Sequence, residues 1–99
     1  MLSNYRTTVS ADDTASVIVT YVSTQIVRVN RDDTITLNTG GYETVTTKRK
    51  MNQAAAQFRL GYSVWQRDHQ WYVTKPSGEE VRFDGRSVTF DGRSVTFAA

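Results

Sequence analysis

No cysteine occurs among the 99 residues, so disulfides, zinc–thiolate centres and cysteine nucleophiles are excluded. A single histidine, His69, likewise excludes a metal cage built from imidazoles. The acidic pairs Asp12-Asp13, Asp32-Asp33 and Glu79-Glu80 lack the spaced ligand loop that calcium or magnesium needs. No GxGxxG, GxxxxGK[ST] or HExxH pattern is present, and Gly40-Gly41 is too short to cradle a phosphate by itself. No apolar run approaches the roughly 20 residues of a membrane helix. The opening MLSNYRTTVSADDTAS also lacks the basic-then-apolar order of a signal peptide. A cytoplasmic protein without a membrane partner or a cofactor is therefore expected. Charge of one sign is scarce too: 12 basic against 10 acidic residues leave a net charge of +2. With so mild an excess, only the placement of the cations can argue for an anionic partner.

What is abundant is β-branched and aromatic residues. A chain this short has one thin core, so a single domain over residues 1–99 is expected. Residues 1–16 are rich in Ser, Thr and Asp and form either a loose arm or an edge strand near Tyr5 to Val9. Val17 to Val29, VIVTYVSTQIVRV, suits a pleated surface, as one long bent strand or two, because Val22-Ser23-Thr24 carries no strong turn signal. Asn30-Arg31-Asp32-Asp33 favours a turn through side-chain hydrogen bonds to the backbone, and Thr34 to Leu37 alternates as a return strand should. Gly40-Gly41 ends that strand, and Tyr42 to Val45 suits another short one.

The period then changes. In TTKRKMNQAAAQFRLG, Met51, Ala54, Ala55 and Phe58 recur at helical spacing, with Thr46 or Thr47 able to cap the start and Gly61 the end. Tyr62 to Thr74 reads as a hairpin turning at Asp68-His69. That register sets Val64 against Val73 and Gln66 against Trp71 on one side, and Trp65 against Tyr72 and Arg67 against Gln70 on the other. Lys75-Pro76-Ser77-Gly78 is a further turn. The fold class is α+β: a mainly antiparallel sheet of about 5–7 short strands, with one helix near residues 47–60 packed on one face. The tail holds a tandem duplication across 84–97, Asp84 to Phe90 and Asp91 to Phe97 both reading DGRSVTF. Either copy suits the slot beside Val81 to Phe83, and the spare copy offers a strand edge for a second chain.

The stretch from Thr34 to Val73 resembles small proteins encoded by bacteriophages, notably those of marine cyanobacteria. The resemblance rests on the TITLNTGG turn, the TVTTKRKMNQ helix start and the GYSVWQ…WYV hairpin, and covers 40 of the 99 residues. It implies a phage origin, an infected host cell as the setting and a compact α+β domain, and no catalytic activity. The second DGRSVTF copy departs from the ending such proteins usually have.

No catalytic residues are assigned, because the sole base, His69, falls at a hairpin tip with no nucleophile placed beside it. The candidate ligand site is Thr46, Thr47, Lys48, Arg49 and Lys50, with Asn52 and, by helix twist, Arg59 adding contacts. Cations in the first turn of a helix oppose its positive end by ~0.3–1 kcal/mol each. A bound phosphate or carboxylate would turn that conflict into attraction. A helix that starts earlier, near Glu43, removes the conflict. The second candidate is an aromatic set, Trp65, Trp71 and Tyr72 with Arg67 and neighbouring Tyr62, as a stacking platform or partner anchor, with at most one tryptophan free of the core. The expected function is a non-enzymatic, phage-encoded protein binding a nucleic acid or nucleotide. The alternatives are a module docking on or inhibiting a host protein, and a virion component self-assembling through its C-terminal strand.

Overall fold

In the computed structural model residues 6–41, 43–84 and 86–92 are described, and they form one helix and eight strands. In chain order these are β1 (Thr7–Ser10), β2 (Ala15–Tyr21), β3 (Thr24–Asn30), β4 (Thr34–Asn38), α1 (Val45–Gln57), β5 (Ser63–Arg67), β6 (Gln70–Thr74), β7 (Glu80–Arg82) and β8 (Ser87–Asp91). Two antiparallel sheets result, one ordered β1-β2-β3-β4-β8 and the other β5-β6-β7. The chain is thus α+β with mainly antiparallel sheet, as its patterning predicts, although the strands divide between two sheets.

Each turn has a local cause. Val17 to Val29 is two strands, and the break falls at Val22, whose φ of +60° is a strained value for a β-branched residue. The backbone N–H of Val22 donates to Arg6 O at 2.8 Å, which ties the turn to the chain ahead of β1. Asp32 Oδ1 accepts from both the backbone N–H and the hydroxyl of Thr34 at 3.0 and 2.6 Å, and Asp33 takes a φ of +72°. Asp12 repeats the device on Thr14 ahead of β2, at 2.7 Å for both contacts. Asp68 and His69 have φ of +52° and +65°, the pair of left-handed residues that a two-residue hairpin turn requires.

The inner face of the larger sheet carries Val19, Val27, Ile35, Leu37, Val88 and Phe90, aligned by the β2–β3, β3–β4 and β4–β8 registers. A bulge between Gln25 and Val27 adds Ile26 to Val27 as adjacent core residues, departing from the usual alternation. Val64, Trp71 and Val73 of the smaller sheet and Met51, Ala54 and Ala55 of α1 close the same core. Two edge-to-face ring pairs bind it together: Tyr62 on Phe90 and Trp71 on Phe83, each at 5.8 Å. The Tyr62 hydroxyl donates to Met51 O at 2.7 Å, and burial drives its pKa upward.

Four expectations are corrected. The helix runs Val45–Gln57 rather than 47–60, because Thr44 is its cap. No strand spans Tyr42 to Val45: Glu43 and Thr44 are irregular, and Val45 opens the helix. Arg59 at φ +55°, not Gly61, reverses the helix end, with Leu60 N donating to Ala55 O at 2.9 Å. The first DGRSVTF copy pairs with β4, while Glu80–Arg82 pairs with β6, so the repeat and Val81 to Phe83 lie in different sheets. Of the second copy only Asp91 and Gly92 fall within the described residues.

Candidate functional site

The start of α1 is built by threonines. Thr44 Oγ1 accepts from Thr47 N at 3.2 Å and donates to Thr47 Oγ1 at 3.2 Å, and Thr44 O takes Lys48 N at 3.1 Å. Beside this cap lies the β2–β3 turn, and a cleft of about 240 Å³ opens between the two. Its lining is Tyr21, Val22, Ser23, Thr24, Thr44 and Thr47, so five of the six residues carry a hydroxyl. That space exceeds the ~150 Å³ cavities known to hold a benzene ring. Gly40 backs one of these residues: its φ is +65°, and an added Cβ would lie 2.6 Å from Thr24 Oγ1, so only glycine is accommodated.

One buried cation packs beside this region. Lys50, one turn beyond Thr47, is only 4% exposed, and its Nζ lies 5.1 Å from the centre of the Tyr21 ring, in cation–π range. Burial holds its pKa below the ordinary lysine value. Arg6 adjoins the turn through its carbonyl, and the Arg86 guanidinium lies 3.6 Å from where a Cβ on Gly41 would stand.

The residues singled out from the sequence do not converge as one group. Thr47 lines the cleft and Lys50 packs over the Tyr21 ring beside it, while Thr46 and Arg49 are exposed on the helix. Lys48 turns the other way, its Nζ 3.4 Å from Gln66 Oε1 on β5. Asn52 pairs its amide with the β5 backbone, accepting from Val64 N at 2.7 Å and donating to Val64 O at 2.9 Å. It therefore acts as a strand partner for β5, its amide turned to the Val64 backbone. Because the helix begins at Val45, Lys48, Arg49 and Lys50 fall in its second turn, where opposition from the helix dipole is weaker. Tyr21, Ser23, Thr24 and Thr44 were not singled out. Thr44 was signalled by the Thr-x-x-Thr spacing to Thr47, whereas Tyr21 and Thr24 reach the helix only through tertiary packing.

The aromatic set divides. Trp71 is 1% exposed in the core, and its Nε1 has no hydrogen-bond partner. Trp65 and Tyr72 lie on the opposite face of the small sheet, stacked at 4.6 Å and 15°, with the Trp65 indole N–H donating to Thr74 Oγ1 at 2.9 Å. The Arg67 guanidinium carbon sits 5.6 Å from the Trp65 ring and 6.0 Å from the Tyr72 ring. His69 is exposed at the hairpin tip. Among the described residues no three His, Asp or Glu side chains gather as a metal site, and no helix is long and apolar enough to cross a membrane.

The family model described as Kyanoviridae Gp96 protein matches residues 1–92, and the chain belongs to that family. The match takes in the whole first DGRSVTF copy and reaches only Asp91 and Gly92 of the second. No curated protein and no solved structure matches the chain.

Proposed function

From membership of this phage protein family, we propose that the chain is a non-enzymatic binding protein whose ligand carries a phosphate, as a nucleotide or within a nucleic acid. The phosphate is held in the cleft at the start of α1. The observation that supports this is a cleft beside the start of α1 whose lining includes five hydroxyl-bearing residues, with the buried Lys50 packed over the Tyr21 ring that borders it. The first-turn N–H groups of a helix lack intrahelical partners and attract anions. Threonine and serine hydroxyls add donors that turn to suit the ligand. No acidic residue stands in the first turn of α1 to repel an anion.

Calorimetric titration with inorganic phosphate and pyrophosphate tests the proposal. Binding is expected to weaken with added salt and to be lost when Lys50→Met and Arg86→Gln are combined. Absence of binding to either anion, or binding unchanged in that variant, would remove the cleft as the site. A second reading, docking of a host protein, is favoured by Val22 and Val45, which are 58% and 62% exposed on and beside the cleft. Capture of one host protein that is abolished by Val22→Ser with Val45→Ser, in the absence of phosphate binding, would select it.

A further inference from the structure

The outer face of β5-β6-β7 presents a row of large side chains that the core does not use. Trp65 stands opposite Tyr72, and Tyr72 stands opposite Arg82, so three adjacent strands align an indole, a phenol and a guanidinium. Arg67 lies two residues along β5 on the same face. Adjacent strands lie ~4.8 Å apart, which suits side chains stacked from one strand to the next. The Trp65–Tyr72 stack at 4.6 Å follows that spacing. Its orientation is fixed in advance by the indole hydrogen bond to Thr74, with Arg67 beside the pile within 6.0 Å of both ring centres. Arg67 and Arg82 are exposed. Among the described strand residues of this face Glu80 is the carboxylate; it lies opposite Thr74 and two residues along β7 from Arg82.

We infer that this face binds single-stranded nucleic acid, an unpaired base stacking on the Trp65–Tyr72 pile and the flanking phosphates pairing with Arg67 and Arg82. The inference names the class of the phosphate-bearing ligand, and it rests on that reading for the course of the strand beyond this face. A single strand is specified because duplex bases hide their faces in the stack and show only edges in the grooves. An acidic peptide would engage the two arginines but leave the ring pile without a role, whereas every base has a π-face to lay on it. Arginine suits both tasks, stacking on rings and forking onto phosphate oxygens.

The test is fluorescence anisotropy of a labelled oligothymidylate titrated with the full chain. Binding is expected to weaken at least about tenfold in Trp65→Ala and to recover largely in Trp65→Phe. The exposed pair Arg67→Gln and Arg82→Gln, which spares the rings, is expected to reduce the slope of log affinity against log salt by about two charges' worth. Equal affinity for a duplex of the same length, competition by polyglutamate as strong as by unlabelled oligothymidylate, or full affinity in a folded Trp65→Ala protein would overturn the inference. Phosphate binding without oligothymidylate binding would overturn it too while leaving the cleft in place. Oligothymidylate binding that survives Lys50→Met with Arg86→Gln but not Trp65→Ala would uphold this face and dismiss the cleft.

Discussion

The two sheets turn different chemistry outward. On the five-stranded sheet Asn30 Nδ2 donates to the hydroxyls of Thr34 and Thr36 at 3.1 and 3.0 Å, and Thr36 pairs with Thr89 at 3.0 Å. Arg28 is held in the same way, to Gln25 at 2.7 Å and Thr14 at 2.6 Å. These short side chains satisfy one another, so a ligand would have to displace existing bonds to be recognised. On the three-stranded sheet the outward residues are a ring pile and arginines, whose stacking faces and fork donors gain from a planar, anionic guest. Both sheets nevertheless share one core. The two sheets therefore differ in their outward positions.

The largest expected effect tests the shared core. Trp71→Ala removes the largest fully buried side chain and its edge-to-face partner contact with Phe83, and should cost about 3–5 kcal/mol. Urea unfolding followed both by circular dichroism and by hydrogen exchange should lose the two sheets together. Exchange that accelerates in β5-β6-β7 alone would show that the sheets do not depend on one core.

Asn52→Ala comes next, at about 1–3 kcal/mol, because it strips the partner from both backbone groups of Val64. Its urea midpoint should fall, and exchange at Val64 should rise more than at Leu37 in the centre of the larger sheet. Equal rises would break the assignment of Asn52 as an edge partner for β5.

A smaller effect sharpens the contrast between the outward faces. Trp65→Ala gives up a stacked pair worth roughly 0.5–1.5 kcal/mol, whereas Thr36→Val should change stability by no more than about 0.5 kcal/mol. Measured side by side for oligothymidylate affinity, only the first should bind less. A loss of affinity in Thr36→Val would move the binding surface to the larger sheet.

Some of this is legible in the sequence. The Asp68-His69 turn sets every pair of the β5–β6 hairpin, and the structure has that register from Ser63 opposite Thr74 to Arg67 opposite Gln70. The buried face of the helix follows from Met51, Ala54 and Ala55 at helical spacing, and all three are buried. The helix start was misplaced because Thr44, Thr46 and Thr47 can all cap, and the local hydrogen bonds between Thr44 and Thr47 select the first. Strand order was illegible for a different reason. β8 meets β4 about fifty residues away in sequence, and the alternating pattern of Val88 and Phe90 suits any sheet edge. The cleft shares that difficulty, since Tyr21 and Thr24 carry no local sign of meeting Thr44.

The smallest effect concerns the two Asp-Asp-Thr turns, which both serve the five-stranded sheet: Asp12 ahead of β2 and Asp32 ahead of β4. Hydrogen bonds from the Thr14 side chain and backbone hold the Asp12 carboxyl below its ordinary value of 3.8, and those from Thr34 do the same for Asp32. A carboxyl whose pKa is lower in the folded chain stabilises it fully above the unfolded value. That contribution fades as the pH falls through 3.8 toward the folded pKa. Both groups are fully exposed, so the loss should be slight and confined to acid. Asp12→Asn with Asp32→Asn keeps an acceptor oxygen in each turn but removes the titration, and should flatten the dependence of the urea midpoint on pH below about 4. Hydrogen exchange at those pH values should quicken in β2 and β4 of the parent protein before it does in β5 and β6. An acid dependence unchanged by the double substitution would mean that these turns are held by their backbone geometry, with the carboxylate charge contributing nothing to the larger sheet.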